Sequence, residues 1–240
     1  MRPLLLLLVL LIGCSGGPAP DSPTVAAAAS LRTVMPALID GFGGDVTVTY
    51  GGSGTLRQQV EGGAPIDVVL FAAPAPVDSL ISKQLADPAT RVRVATNDLV
   101  LIGPTDAKDL TFETLGSLAA GERIAVGEPG AVPAGRYTKE ALTRLGTWGT
   151  LQPRIVFAGD VAAVLAYARR GEVGAAAVYR TDAAGIDDVR VLDVADWEGA
   201  PRPEVVGAAV SDSARGRAFL QFVASPAGAA ILERFGFGPA

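Results

Sequence analysis

The sequence predicts an α/β class built from mostly parallel sheets flanked by helices. Two observations carry that expectation. Short apolar or alternating stretches give way repeatedly to segments with apolar residues at helical spacing, the pattern of strands packed by helices on both faces. No tandem repeat of solenoid length competes with this alternation. At 240 residues the chain can bury a sizeable core, as one large domain or two small lobes.

The elements follow in order. "TVAAAAS", from Thr24, is a short buried strand, and Leu31, Val34, Met35, Leu38 and Phe42 then recur at helical spacing. Pro36 falls inside that pattern and is expected to kink the helix. "DVTVTY" reads as a strand and "TLRQQVEGG" as a helix ended by glycines, and "IDVVLFA" with "PVDSLISKQL" repeats the pair. "DLVLIGP", "RIAVGEP", "GAAAVY" and "VRVLDVA" are further strands. The chain closes with two helices separated at Pro226.

Composition removes several functions. The formal charge of −5, with no basic stripe, argues against nucleic acid as a partner. There is no histidine, so a Ser-His-Asp site and a histidine zinc site are both excluded. Arg2 precedes an apolar run from Leu4 to Ile12, too short to span a bilayer but suited to the core of a signal peptide. That run ends "LIGCSGG", and Cys14 is the only cysteine. The segment resembles a bacterial lipobox, which implies lipidation of Cys14, a tether "SGGPAPDSP" and a mature protein held outside the cytoplasmic membrane.

Four strand-to-helix junctions share one character. "AAAAS" leads to Leu31 through Ser30, and "YGGSG" leads to Thr55 through Ser53. "EPGAVPAG" places Pro133 in a first helical turn, and "FAGD" places Asp160 as the cap of "VAAVLAYARR". In parallel sheets ligands lie beyond such strand ends. Helix starts there offer unpaired N–H groups and partial positive charge, and small residues let a ligand approach the backbone. The junctions therefore describe an anion site built from neutral donors. Ser30 and Ser53 are equally readable as N-caps. Two other classes stay open: a hydrolase pairing Ser53 with Lys83, Lys108 or Lys139, and a carboxylate binder using Arg32, Arg57 or Arg136.

"AAASL" at 27–31, "SGTLRQQVEGGAP" at 53–65, "VGEPGAVPAGRYTKEALTRLG" at 126–146 and "GDVAAVLAYARRGEVGAAAVYRTDA" at 159–183 resemble the molybdate-binding subunit of bacterial ABC transporters. The likeness runs through the closing "ILERFGF". It implies a two-lobed periplasmic-binding-protein fold of the second type, with lobes at 24–93 plus 193–240 and at 94–192, after a leader and tether at 1–23. The crossings are expected near Val94–Pro104 and Thr181–Asp193. It further implies a non-enzymatic, monomeric carrier of molybdate or tungstate, without a cofactor or side-chain-bound metal, that serves a membrane permease. Sulfate or a small carboxylate is the alternative ligand. The oxyanion would be held by hydroxyl and main-chain donors of Ser30 and Ser53, main-chain N–H groups of Ala134 and Val161, and the hydroxyl of Tyr179. An octahedral site completed by Asp160 is a variant.

Two departures from that family stand out. Gly52 and Gly54 replace serines and are expected to loosen the loop, and "APAP" at 73–76 replaces an Asp-containing turn in a change read as lying away from the ligand. With no histidine, affinity is expected to stay flat between about pH 6 and 8.

Overall fold

The computed structural model describes residues 22–119 and 121–240; the leader, the tether up to residue 21 and Cys14 lie outside them. The chain opens with β1 (Thr24–Ala28), α1 (Met35–Phe42), β2 (Thr47–Gly51), α2 (Ser53–Glu61), β3 (Val68–Phe71), α3 (Pro74–Ser82) and β4 (Val92–Thr96). There follow β5 (Leu99–Pro104), β6 (Ile124–Gly127), α4 (Pro133–Arg144), α5 (Trp148–Leu151), β7 (Ile155–Ala158), α6 (Val161–Arg169), β8 (Ala175–Tyr179), α7 (Arg180–Ala183) and β9 (Val189–Val194). Last come β10 (Glu204–Ala209), α8 (Ala214–Val223) and α9 (Pro226–Arg234).

Two five-stranded sheets result, ordered β2-β1-β3-β10-β4 and β7-β6-β8-β5-β9. In the first, β10 runs antiparallel to β3 and β4; in the second, β5 runs antiparallel to β8 and β9. The remaining pairings are parallel, so each sheet is mostly parallel with one reversed strand. Those reversed strands, β5 and β10, are the ones that have just arrived from the other lobe.

Strand pairing moves the expected lobe limits. Residues 94 and 193 fall inside β4 and β9, whose ladders hold them to β10 and β5. The chain instead passes between sheets at Asn97–Asp98 and returns between Val194 and Glu204. Asn97 ties these passages together. Its backbone N–H donates to the Pro203 carbonyl at 2.9 Å, and its buried side-chain amide donates to Thr181 Oγ1 at 2.8 Å.

Pro36 does not kink a helix. Residues 29–31 form one 3₁₀ turn, and α1 begins afresh at Met35 with Pro36 in its first turn, where no helical N–H is needed. Pro226 likewise starts α9, whose Ser225 cap accepts from the Gly228 N–H at 3.3 Å. In α6, Val161, Val164 and Ala168 are buried as their spacing requires, with Leu165 half-buried at the margin. Each such buried valine contributes roughly 1.5–3 kcal/mol relative to exposure.

Candidate functional site

The strand ends of the two lobes face each other across a cleft, and the five residues expected there come together. Ser30, Ser53, Ala134, Val161 and Tyr179 all line one small cavity of about 10 Å³, together with short neighbours such as Gly52 and Ala72. The first two come from one lobe and the other three from the second.

The serines are not helix caps. Ser30 sits in the 3₁₀ turn with no capping bond, and its Oγ is buried without a hydrogen-bond partner among the described residues. Ser53 is the first residue of α2, not the residue before it, and Gly52 occupies the cap position. Its fully buried Oγ accepts from the Ala72 N–H at 3.2 Å, which leaves the hydroxyl proton free to be donated. Contrast Ser213, whose Oγ does cap α8 by accepting from the Gly216 N–H at 3.0 Å.

The second lobe supplies backbone donors. Ala134 lies in the first turn of α4 and Val161 in that of α6, where amides have no acceptor within the helix. Tyr179 ends β8 and is 2% exposed. Its hydroxyl donates across the cleft to the Ala72 carbonyl at 3.3 Å, long for such a bond and therefore readily exchanged. Burial, above all, pushes the Tyr179 phenol well above the ordinary tyrosine range, so it keeps its proton.

Charged side chains stand outside this cavity. Arg32 stacks over the Tyr50 ring at 4.3 Å, Arg57 pairs with Glu61, and Arg136 lies over the Tyr137 ring at 4.9 Å. Lys83 also pairs with Glu61, Lys139 lies over the Trp148 ring, and Lys108 belongs to a separate pocket of the second lobe. None of these residues lines the cavity, so neither a lysine base nor a bidentate arginine is in place. The Asp160 carboxylate accepts from the Ala163 N–H at 2.8 Å as the α6 cap, and it too is absent from the lining. Among the described residues no group of three His, Cys, Asp or Glu could hold a metal ion.

The glycines beside Ser53 do not loosen the loop; they let the lobes touch. The Gly54 N–H donates to the Ala131 carbonyl of the other lobe at 2.8 Å. A Cβ on Gly54 would lie 2.7 Å from the Ala131 Cα and carbonyl oxygen, and one on Gly52 would lie 2.9 Å from the Gly159 oxygen. Pro74 begins α3 after Ala73 in the cap position, while Ala75 and Pro76 line a second pocket shared by the two lobes.

The expectation of a flat pH response did not include Asp182, whose carboxylate accepts from the Tyr179 N–H at 2.9 Å. Burial raises this carboxyl to about 7; the Tyr179 amide bond lowers it and the charge of Asp160 raises it further. Its position gave no sequence signal beyond lying three residues after Tyr179.

The sequence profile of the family described as bacterial extracellular solute-binding protein matches residues 23–238. Molybdate-binding protein ModA of Escherichia coli (strain K12) is 37% identical over 225 residues, covering 89% of this chain and 88% of that protein. The putative ABC transporter substrate-binding lipoprotein YvgL of Bacillus subtilis (strain 168) is 31% identical over 222 residues, with 89% and 85% covered. Among solved structures, the periplasmic molybdate-binding protein of Azotobacter vinelandii superposes with a TM-score of 0.80, covering 91% of this chain and 100% of that one, at 21% identity.

Proposed function

The chain belongs to the bacterial extracellular solute-binding protein family, and within it we propose that this protein captures molybdate or tungstate for an ABC importer. The observation that carries this reading is the unpartnered Ser30 Oγ, buried in a cavity edged by donors from both lobes. A buried hydroxyl left unpaired costs about 1–3 kcal/mol, so an acceptor is the natural occupant. Molybdate and tungstate are fully deprotonated near neutral pH, and every oxygen only accepts. Phosphate carries a proton there and would set its O–H against a donor. Sulfate matches in charge but has shorter bonds, so donors fixed on two lobes discriminate by reach. The protein acts as a binder, in keeping with the solute-binding family to which it belongs.

Calorimetric titration of the mature chain with molybdate, tungstate, sulfate and phosphate tests this reading. Molybdate and tungstate should bind far more tightly than phosphate; equal affinities would overturn it. Ser30→Ala sharpens the test. It deletes an orphaned donor, so thermal stability should hold or rise while molybdate affinity falls roughly 10- to 100-fold, the loss of one charge-assisted bond. Tyr179→Phe keeps the ring and should cost a similar factor. If both variants bind like the wild type, the cleft is misassigned.

The chain acts outside the cytoplasmic membrane, anchored through acylated Cys14 and working as a monomer with a permease. Support comes from the lipobox-like "LIGCSGG" and from a relative named as a lipoprotein. Cys14→Ser should abolish incorporation of labelled fatty acid into the protein; retained label would exclude the anchor.

A further inference from the structure

The cavity is made of neutral donors, which leaves open how a dianion reaches it on a chain of formal charge −5. At the mouth of the cleft lies a separate pocket of about 180 Å³, walled by both lobes. Arg57 and Gly54 of α2 line it, as do Arg136 of α4 and its neighbours Val132 and Pro133. Val132 and Pro133 also line the inner cavity, so the two spaces share a wall. Among the described residues no carboxylate lines the mouth pocket; Glu128 is exposed and lies beside Gly130.

Both cations keep a net field. Arg57 pairs with Glu61, but Glu61 is shared with Lys83 at 2.9 Å, so that cluster remains positive overall. One terminal nitrogen of Arg136 is buried with no hydrogen-bond partner, and no carboxylate pairs with its guanidinium among the described residues.

We propose that Arg57 and Arg136 are positioning residues that draw the oxyanion into the cleft, while the neutral donors inside hold it. The division of labour has a physical reason. A guanidinium inside the cavity would bind many anions, including carboxylates, whereas a pair at the mouth raises the encounter rate and leaves selection to the inner donors. Local positive potential is needed because the chain as a whole repels a dianion.

This inference rests on the reading of the cavity as an oxyanion site, and stopped-flow fluorescence with sodium molybdate separates the two. In an Arg57→Gln, Arg136→Gln double variant the association rate at low ionic strength should fall about 5- to 50-fold, within the range of electrostatic steering, and its dependence on salt should weaken. The dissociation rate should stay within about twofold of wild type. Lysine at both positions should restore the rate, which a structural role of the guanidinium groups would not allow. An unchanged association rate and salt slope in a variant with a wild-type melting curve overturns the inference. So does a loss confined to the dissociation rate, which would place the charges on the bound anion. Failure of the wild-type chain to bind molybdate would instead strike the parent reading, and this one with it.

Discussion

Replacing Gly54 with alanine is expected to weaken molybdate binding about 1,000-fold, the largest effect of any single substitution in the cleft, because roughly 4 kcal/mol is lost when second-lobe donors cannot reach the anion. The new Cβ would stand 2.7 Å from the Ala131 Cα and oxygen, a distance no side-chain rotation can relieve. The lobes would be wedged apart, and the Gly54–Ala131 bond of 2.8 Å would go with them. Alanine is no worse than glycine inside a helix, so the isolated first lobe should lose no stability from the change. Ligand binding shifts an open–closed equilibrium only through its differential affinity for the closed form, and a variant that cannot close forfeits that difference. Gly149→Ala, in open space, serves as the control and should bind normally. Calorimetry with small-angle scattering checks the pair of outcomes: weak binding with no ligand-induced compaction for Gly54→Ala. Wild-type affinity in that variant would show that the interlobe contact is dispensable.

This closure contact marks the limit of what the sequence discloses. Most elements announce themselves by period, as β3 does with its apolar run and α6 with Val161, Val164 and Ala168. The strand β10 does not, because "EVVGAA" is made small by its surroundings. A Cβ on Gly207 would stand 2.6 Å from Leu220 of α8 and 2.8 Å from Leu70 of β3, so close packing has taken the residue that strand propensity would choose. The site divides in the same way. Ser30, Ser53, Ala134, Val161 and Tyr179 were reachable because each sits at a strand end or helix start that can be recognised locally. Whether a serine at such a corner caps the helix or serves a ligand was not, since both need the same residue at the same place. The direction of the oxygen decides, and for Ser53 it turns to Ala72 of the neighbouring strand end. Gly54 and Arg136 drew notice in the chain only as a loosened loop and a possible carboxylate partner, and Asp182 drew none, because what each does depends on residues distant in sequence.

Asp182 should make the affinity for molybdate fall as pH rises. Its carboxyl is raised from 3.8 to about 7, chiefly by burial, so below that value it is neutral and above it anionic. The ionised form sits hydrogen-bonded to the Tyr179 N–H, directly behind the residue expected to donate to the ligand. A bound dianion disfavours that ionisation further, so linkage makes binding weaken as pH rises above the carboxyl's own value, by at most about tenfold per pH unit. The ligand stays a dianion throughout, so its own speciation does not produce the slope. Tyr179 does not produce it either, because burial holds the phenol protonated. Folding carries the same sign. The native state binds more protons at Asp182 than the unfolded chain does between roughly pH 4 and 7, so stability declines across that window as pH rises. Asp182→Asn keeps an acceptor for the Tyr179 amide and removes the charge. It should leave affinity near pH 6 unchanged, flatten the profile up to pH 9, and raise the melting temperature above wild type by a margin that grows between about pH 4 and 7 and stays constant above that. A wild-type affinity that is flat over this range would show that Asp182 does not titrate with binding, and a slope that survives in Asp182→Asn would assign the titration to another group.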